Sequence, residues 1–245
     1  MLCTPIVSEH LRTCIAHKSG FRERVAELHD LLSYRIASGT ELEMVQAMRY
    51  KAYLAEGAAA ARIDKRLDDV FDLSTNGATI ILGFGDHICA SIRLHIVTSA
   101  GQDSPAVHAF PDELVPLIKA DERLIDPNCF CVDPLLSGGM PELAYLTLRL
   151  PFMAAGLCVH SSVTATVRAE HAAFYRRVLR CEMIAKPREY AGRSKPLGLM
   201  LVSYDREAGN VLARYPFFAP SSGEAERIGL DRIGIDAPAH ERVAA

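Results

Sequence analysis

No stretch of the 245 residues approaches the roughly 20 consecutive apolar positions that a bilayer-spanning helix needs. The opening Met1-Leu2-Cys3-Thr4-Pro5 lacks a basic region followed by an apolar one, so no secretory signal is expected and the chain is expected in the cytoplasm. No internal repeat and no low-complexity tract interrupts the sequence. The seven cysteines (3, 14, 89, 129, 131, 158 and 181) are scattered and odd in number, which argues against a disulfide framework and for reduced thiols. Cys129-Phe130-Cys131 is the one close pair. On a strand its two sulfurs would share a face, but no second Cys or His pair stands at zinc-site spacing, so no metal is expected.

What is present is the balance of a globular protein, 49% hydrophobic and 23% charged, in a chain long enough to bury a real core. The formal net charge of −3 gives no basis for a nucleic-acid partner, but it is unevenly spread. Between Arg168 and Lys195 stand eight basic residues, among them Arg168, Arg176, Arg177 and Arg180, against three acidic ones. That segment is near +5 and the remainder near −8. It is either a solvated helix face or a docking surface for an acidic or phosphorylated partner.

Patterning predicts a weakly amphipathic helical extension over 1–30 and a first strand within 31–37. Thr40-Glu41-Leu42-Glu43 reads as a capping box opening a helix that ends near Gly57, with Leu42, Val45, Met48 and Ala52 inward and Arg49 and Tyr53 sharing another stripe. A polar connection over 58–76 contains the run Asp68-Asp69-Val70-Phe71-Asp72. A hairpin follows, 78–84 and 87–98 about Gly85-Asp86. Its second strand alternates, with Ile88, Ala90, Ile92, Leu94 and Ile96 on one face and Cys89, Ser91, Arg93 and His95 on the other, so that Arg93 serves a cleft instead of the core.

Further on are a helix over 111–120, a strand over 128–133, and a helix from Pro141 to about Leu157 that Pro151 must kink or split, with Leu143, Leu146, Leu150, Met153 and Leu157 inward. A strand over 159–167, a helix over 169–179 and strands over 181–185 and 197–204 complete the pattern. Beyond Asp205 it fades, and 205–245 is expected to be a C-terminal extension, partly mobile over 220–245. The order indicates an α/β fold with a mixed central sheet and helices on both faces.

Several segments, weak singly but specific in order and spacing, resemble a known family. They are Met48-Arg49-Tyr50-Lys51-Ala52-Tyr53, Leu67-Asp68-Asp69-Val70-Phe71-Asp72, Ala90-Ser91-Ile92-Arg93-Leu94, Ala109-Phe110-Pro111-Asp112-Glu113-Leu114, Asp126-Pro127-Asn128-Cys129-Phe130-Cys131-Val132-Asp133-Pro134 and Val167-Arg168-Ala169-Glu170-His171-Ala172-Ala173-Phe174-Tyr175-Arg176-Arg177. Over residues 31–204 the sequence is similar to the FeeM-type N-acyl amino acid synthases, relatives of the acyl-homoserine-lactone synthases within the GNAT N-acyltransferase fold. The resemblance implies a GNAT-like domain and an acyl group carried as a thioester, on the phosphopantetheine of acyl carrier protein or on coenzyme A. It also implies a small amine, such as an amino acid, as acceptor, and no tightly bound cofactor. A lipid product would allow peripheral membrane contact.

It further implies positions. Arg49, Asp69, Asp72 and Arg93 match the family's active-site Arg and Asp positions, and Asp126 stands where the lactone synthases carry Glu. Cys129 replaces the Arg that precedes Phe in a Ser-Arg-Phe motif, with Phe130 keeping the Phe. That departure weakens a lactone-forming reaction using S-adenosylmethionine and leaves open a catalytically silent acyl-lipid or carrier-binding module. The GNAT pyrophosphate loop is also missing after Asp133-Pro134, which favours a carrier protein over coenzyme A.

Acyl transfer to an amine needs deprotonation of the amine, stabilisation of the thioester oxyanion, and alignment of the two. Asp69 and Asp72 can hold an ammonium and lead its proton away, or they are solvated loop acids. Arg93 can clamp an acceptor carboxylate, or pair with those acids. Arg49 and Tyr53 are substrate-side candidates on one helix stripe. Asp126 joins the acids or makes a turn before Pro127. Tyr175 stands where GNAT enzymes place the acid that protonates the leaving thiolate, and it is also a plausible packing tyrosine. Cys129 and Cys131 lack an orienting His–acid pair for covalent catalysis.

Overall fold

The computed structural model describes residues 4–18, 20–100, 103–190 and 194–233. Helices α1 (Thr4–Ala16) and α2 (Phe21–Leu31) lead into strand β1 (Ser33–Ile36), helix α3 (Gly39–Ala55) and the hairpin β2 (Gly77–Phe84) and β3 (His87–Val97). Two short helices, α4 (Pro105–Ala109) and α5 (Pro111–Lys119), precede β4 (Arg123–Val132). Then come α6 (Pro134–Ser137), α7 (Glu142–Gly156), β5 (Ser161–Val167), α8 (Ala172–Leu179), β6 (Glu182–Arg188), β7 (Leu197–Ser203), α9 (Tyr204–Arg214) and α10 (Glu224–Ile228). The strands form one seven-stranded sheet in the order β1-β2-β3-β4-β5-β7-β6, antiparallel except for β4 beside β5.

Helices cover both faces, as the alternating pattern requires. On one side α1, α2, α7, α9 and α10 bury Leu11, Leu28, Leu146, Val211 and Ile228 with Ile80, Leu82, Ile92 and Val163 of the sheet. On the other, Val45, Met48 and Ala52 of α3 meet Ile81 and Ile88, and Ala106, Phe110 and Leu114 of α4 and α5 meet Val97 and Leu199. The hairpin turns on Gly85, whose φ of 55° suits a residue without a Cβ.

Several expectations shift in detail. The capping box is Ser38 with Glu41, not Thr40 with Glu43: the Glu41 carboxylate accepts from the Ser38 backbone N–H at 3.1 Å. The alternation of β3 slips at a bulge opposite Leu82/Gly83, which turns Cys89 into the main core and leaves Ile88 with α3. Strand β4 begins five residues earlier than expected, at Arg123, because Pro127 masks a strand that is central in the sheet. Helix α7 runs unbroken through Pro151, buried along most of its length, while Leu157 lies at its end, 45% exposed, instead of inward.

The described segments nearest the two ends of the chain are built into the fold. Val7, Leu11 and Ile15 from α1 and Tyr215, Phe218, Leu230 and Ile233 from the C-terminal segment belong to the main core. There the buried guanidinium of Arg149 pairs with Glu224 and donates to the Phe217 and Ala219 carbonyls. Within 205–233 the amphipathic helix α9 and the shorter turns after it pack on the main core through Val211, Phe218, Ile228 and Leu230, so the pattern does not fade at Asp205 as expected, whereas 234–245, the rest of the expected mobile tail, lie outside the described residues.

Two local features open the sheet. Strands β4 and β5 pair only from Arg123↔Ser161 to Ile125↔Val163 and then diverge. On its other edge β4 carries a bulge: Asn128 faces Arg93 and Cys131 faces Ser91, so Cys129 and Phe130 together oppose Ile92, with Cys129 at φ 50°. Cys131 packs under α3 with its sulfur 3.3 Å from the Ser91 hydroxyl, and Cys129, which lines the gap between the strands as Cys131 does, lies within electrostatic reach of Arg49 and Arg93.

Candidate active site

The gap between β4 and β5 is a cavity of about 560 Å³. Its walls are the diverging strands, the last turn of α3, the start of α7, α8, and the connection from β6 to β7. Five of the sequence candidates line it: Tyr53, Cys129, Phe130, Arg168 and Tyr175. The Tyr53 hydroxyl donates to the Phe130 carbonyl at 3.3 Å, tying α3 to the bulge. Tyr175 stands edge-on to Phe174, and burial raises its hydroxyl pKa, so the phenol stays protonated across the neutral range. Arg168, at the end of β5, pairs with Glu56 and Glu170 and contacts His171. Lys195, from the basic segment, and His171 line the same wall.

Arg49, Asp69, Asp72 and Arg93 form an ionic cluster adjoining this wall through Asn128. Arg93 Nη1 donates to Asp69 Oδ1 at 2.6 Å and Asp72 Oδ1 at 2.7 Å, and Nη2 donates to Asp69 Oδ2 at 2.8 Å. Arg49 Nη1 donates to Asp72 Oδ1 at 2.6 Å and Nη2 to Thr79 Oγ1 at 2.9 Å, while Gln46 donates to Asp72 Oδ2 at 3.0 Å. Two guanidiniums against two carboxylates leave no uncompensated charge, the condition under which such groups can be buried.

The 3₁₀ turn Val70–Leu73 delivers both acids, because its period of three puts Asp69 and Asp72 on one face. Burial opposes ionisation of Asp69, but hydrogen bonds from Arg93 and its charge outweigh this and hold the carboxyl below the usual range. The Asp69 side chain is 39% exposed and that of Asp72 only 3%, so Asp69 is the member of the pair that a solvent-borne group can reach. Arg93, expected to serve an open cleft, is instead 1% exposed and committed to these acids and to Asn128. Of its two sequence readings, the structure takes the one that pairs it with Asp69 and Asp72. Asp68 is apart from the cluster, bound to Arg62 on the surface.

Asp126 does not join the acids. Fully buried, it accepts from the Ala106 backbone N–H at 3.0 Å and the Thr164 hydroxyl at 3.1 Å, fastening α4 and β5 to β4. Arg176, Arg177 and Arg180 lie on the exposed side of α8, where Arg177 stands over the Phe174 ring and Arg180 pairs with Glu207. Of the four basic candidates only Arg168 reaches the cavity wall. Among the described residues no group of three or more His, Cys, Asp or Glu side chains is arranged to hold a metal ion.

The loop after β4 makes a poor phosphate cradle. Pro134 contributes no N–H to the first turn of α6, Leu135 N–H is taken by the Asp133 carboxylate at 2.9 Å, and the Leu136 and Ser137 N–H groups bond the Asp133 carbonyl. Asp133 itself, 3.0 Å from His87, puts a carboxylate where an anion would dock.

A family model for N-acyl amino acid synthase FeeM matches residues 44–203, which span the acidic turn, both arginines and the whole cavity wall from α3 to β7. The chain belongs to this family of N-acyl amino acid synthases. It is an acyltransferase, with a GNAT-like sheet. No curated protein sequence matches it. Among solved structures, FeeM, an N-acyl amino acid synthase from uncultured soil microbes, is 17% identical, with a TM-score of 0.60 over 76% of this chain and 97% of that one. The CoA-dependent acyl-homoserine lactone synthase MesI is 15% identical, with a TM-score of 0.50 over 78% of this chain and 97% of that one. BjaI, another CoA-dependent synthase of that kind, solved with SAM and isopentyl-CoA, is 14% identical, with a TM-score of 0.51 over 77% and 91%. At these identities the likeness is one of fold.

The structure also shows what the sequence reading passed over. Gln46, Thr79 and Asn128 each add a hydrogen bond to the cluster. Asn128 was within reach of sequence reasoning, since it lies in the segment that carries Cys129 and Phe130. Its pairing with Arg93 needed the register of β3 on β4.

Proposed function

We propose that this member of the family transfers an acyl group from the phosphopantetheine thioester of acyl carrier protein to the amine of an amino acid or similar small amine. The observation that carries the reading is the cavity between the diverging edges of β4 and β5, whose wall at Asn128 is hydrogen-bonded to the Arg93–Asp69–Asp72 cluster. Strand edges without a neighbour offer backbone N–H and C=O groups, and a pantetheine arm with its two amides is a ligand suited to lie between them. Met140, Ala144 and Leu197 supply apolar wall for an acyl chain. Pro134 and the Asp133 carboxylate disfavour the pyrophosphate of coenzyme A, so a carrier protein is the better donor, with Arg168 at the cavity and Arg176, Arg177 and Arg180 on α8 as its basic docking face.

In this reading Asp69 takes the proton of the acceptor ammonium while Asp72, locked between Arg49 and Arg93, holds the turn in place. The amine nitrogen attacks the thioester carbon, and backbone N–H groups at the Cys129–Phe130 bulge face the developing oxyanion. The C–S bond breaks, the Tyr175 phenol gives its proton to the departing thiolate, and the second proton shed by the nitrogen as the amide forms restores the phenol. Tyr53 and Phe130 shape the acceptor side of the wall, and Cys129 leaves room there. The acceptor carboxylate is not assigned to Arg93, whose donors serve Asp69, Asp72 and Asn128.

The purified protein, given long-chain acyl carrier protein or the matching acyl-coenzyme A, pooled amino acids and S-adenosylmethionine, tests this by mass spectrometry. An N-acyl amino acid formed preferentially from the carrier supports the reading. A lactone product would replace it with the lactone-synthase reaction. Carrier binding without any product would leave a silent binding module.

A further inference from the structure

Beneath the ionic cluster lies a second polar layer that the acyl-transfer scheme does not use. Asn128 stands opposite Arg93 in the pairing of β3 with β4, and its Oδ1 accepts from Arg93 Nε at 2.6 Å. Its Nδ2 bonds His95 Nδ1 and the Asp126 carbonyl, each at 3.0 Å. A guanidinium only donates, so the oxygen of the Asn128 amide must face Arg93 and the NH₂ must face His95. His95 Nδ1 is therefore an acceptor, and the ring carries its proton on Nε2.

The ring of His95 is itself held by what surrounds it. It faces Gly77 across the hairpin, where a Cβ would come within 2.7 Å of Cδ2 and Nε2. It also stands edge-on to Phe71 at 5.8 Å, and Phe71 lies in the turn between Asp69 and Asp72. Charged groups bear on it from three elements: Asp126 on β4, Arg93 on its own strand, and Asp69 on the turn. Burial is the largest influence and moves its pKa down to about 4, against the pull of Asp126, so the imidazole is neutral at pH 7.

We propose that Asn128 and His95 are positioning residues for acyl transfer: together they fix the guanidinium plane of Arg93 and, through it, the exposed edge of Asp69 that meets the acceptor amine. This rests on the reading above that Asp69 takes the amine's proton. Neither residue exchanges a proton with substrate. Asn128 sets the direction of Arg93 from its Nε end while both carboxylates pull on its Nη end, and His95 supports the amide of Asn128 and the Phe71 turn at once.

Two measurements test it. In histidine- and arginine-labelled protein, two-bond ¹H–¹⁵N spectra should show His95 as the Nε2–H tautomer from pH 8 down to about 5, and Arg93 Nε–H should exchange slowly with solvent. Asn128→Leu should speed that exchange and lower kcat/KM for the amine by about tenfold or more. Asn128→Asp keeps an acceptor for Arg93 but gives His95 no donor. It should retain more activity than the Leu variant and bring the His95 pKa upward, adding a new ionisation to the pH–rate profile. An Nδ1–H or cationic His95 at pH 7, fast Arg93 exchange in the unaltered protein, or unchanged amine kcat/KM in Asn128→Leu would each overturn the proposal. If the unaltered protein acylates no amine, the acyl-transfer reading falls, and with it the catalytic half of this one. The spectra would still decide whether Asn128 and His95 hold Arg93.

Discussion

Arg93 Nη1 lies 2.6 Å from Asp69 Oδ1 and 2.7 Å from Asp72 Oδ1, one nitrogen bridging two carboxylates three residues apart on a single turn. The two acids are nonetheless not equivalent, because Asp72 is sealed between two guanidiniums and Asp69 has an open edge.

Asp72→Asn should therefore act first on stability. It leaves Arg49 and Arg93 sharing one carboxylate in a buried site, at a cost of about 3–5 kcal/mol, measurable by urea denaturation. Asp69→Asn should cost less stability and lower turnover by roughly 10²–10⁴-fold. A variant protein at full stability and full activity in either case would remove the acidic turn from the mechanism.

Tyr175→Phe should leave the fold intact and slow turnover on an alkyl thioester, since the departing thiolate loses its proton donor. The loss should shrink when the donor is a thioester of a more acidic thiol, which leaves without help. Equal losses on both donors would mean that Tyr175 only packs against Phe174.

Ala144 on α7 and Met140 before it form part of the apolar wall. Ala144→Phe should shorten the acyl chains found in the product without changing the amine used, as read by mass spectrometry of products from a mixed pool of acyl carriers. An unchanged length distribution would put the acyl chain elsewhere.

Glu224 predicts a pH dependence. Burial favours its neutral form, but hydrogen bonds from Arg149 and the Ser221 N–H outweigh this and bring its pKa to about 2. Because the folded pKa lies below the unfolded one, its stabilising contribution is complete above pH ~4.5 and is lost as pH falls toward about 2. Thermal midpoints of the protein and of Glu224→Gln should therefore differ at pH 6 and converge in acid. A constant gap would show that the Arg149 pair does not fasten the C-terminal segment.

Gly77→Ala should be disproportionately harmful for a strand residue, because its Cβ would meet the His95 ring at 2.7 Å. A loss of about 1–3 kcal/mol is expected from the overpacking. The change should also disturb Arg93 through Asn128, visible in the same arginine exchange spectra. A neutral outcome would show that the ring has room to move.

Local pattern made much of this protein legible. The hairpin about Gly85, the helix carrying Val45, Met48 and Ala52, and the strands on either side of α8 follow from periodicity and turn residues, which depend on neighbours in sequence. The resemblance that placed the chain in its family rests on short segments that also survive in order along the chain. Asp69 and Asp72 could be separated from Asp68 in this way, and the structure places Asp68 on the surface with Arg62.

Tertiary structure alone decided what those residues face. Alternation put Arg93 on a polar face, but only the packing of the 70–73 turn over β3 made that face an interior. A bulge, which costs one residue of register and leaves no compositional trace, set Cys129 at φ 50° on the cavity wall within electrostatic reach of Arg49 and Arg93. The divergence of β4 from β5 after Ile125, the docking of Val211, Phe218 and Leu230 on the main core and the Asn128–His95 layer all depend on partners 30 or more residues away. Periodicity specifies a direction for each side chain, whereas the group that meets it is set by how the strands and turns pack.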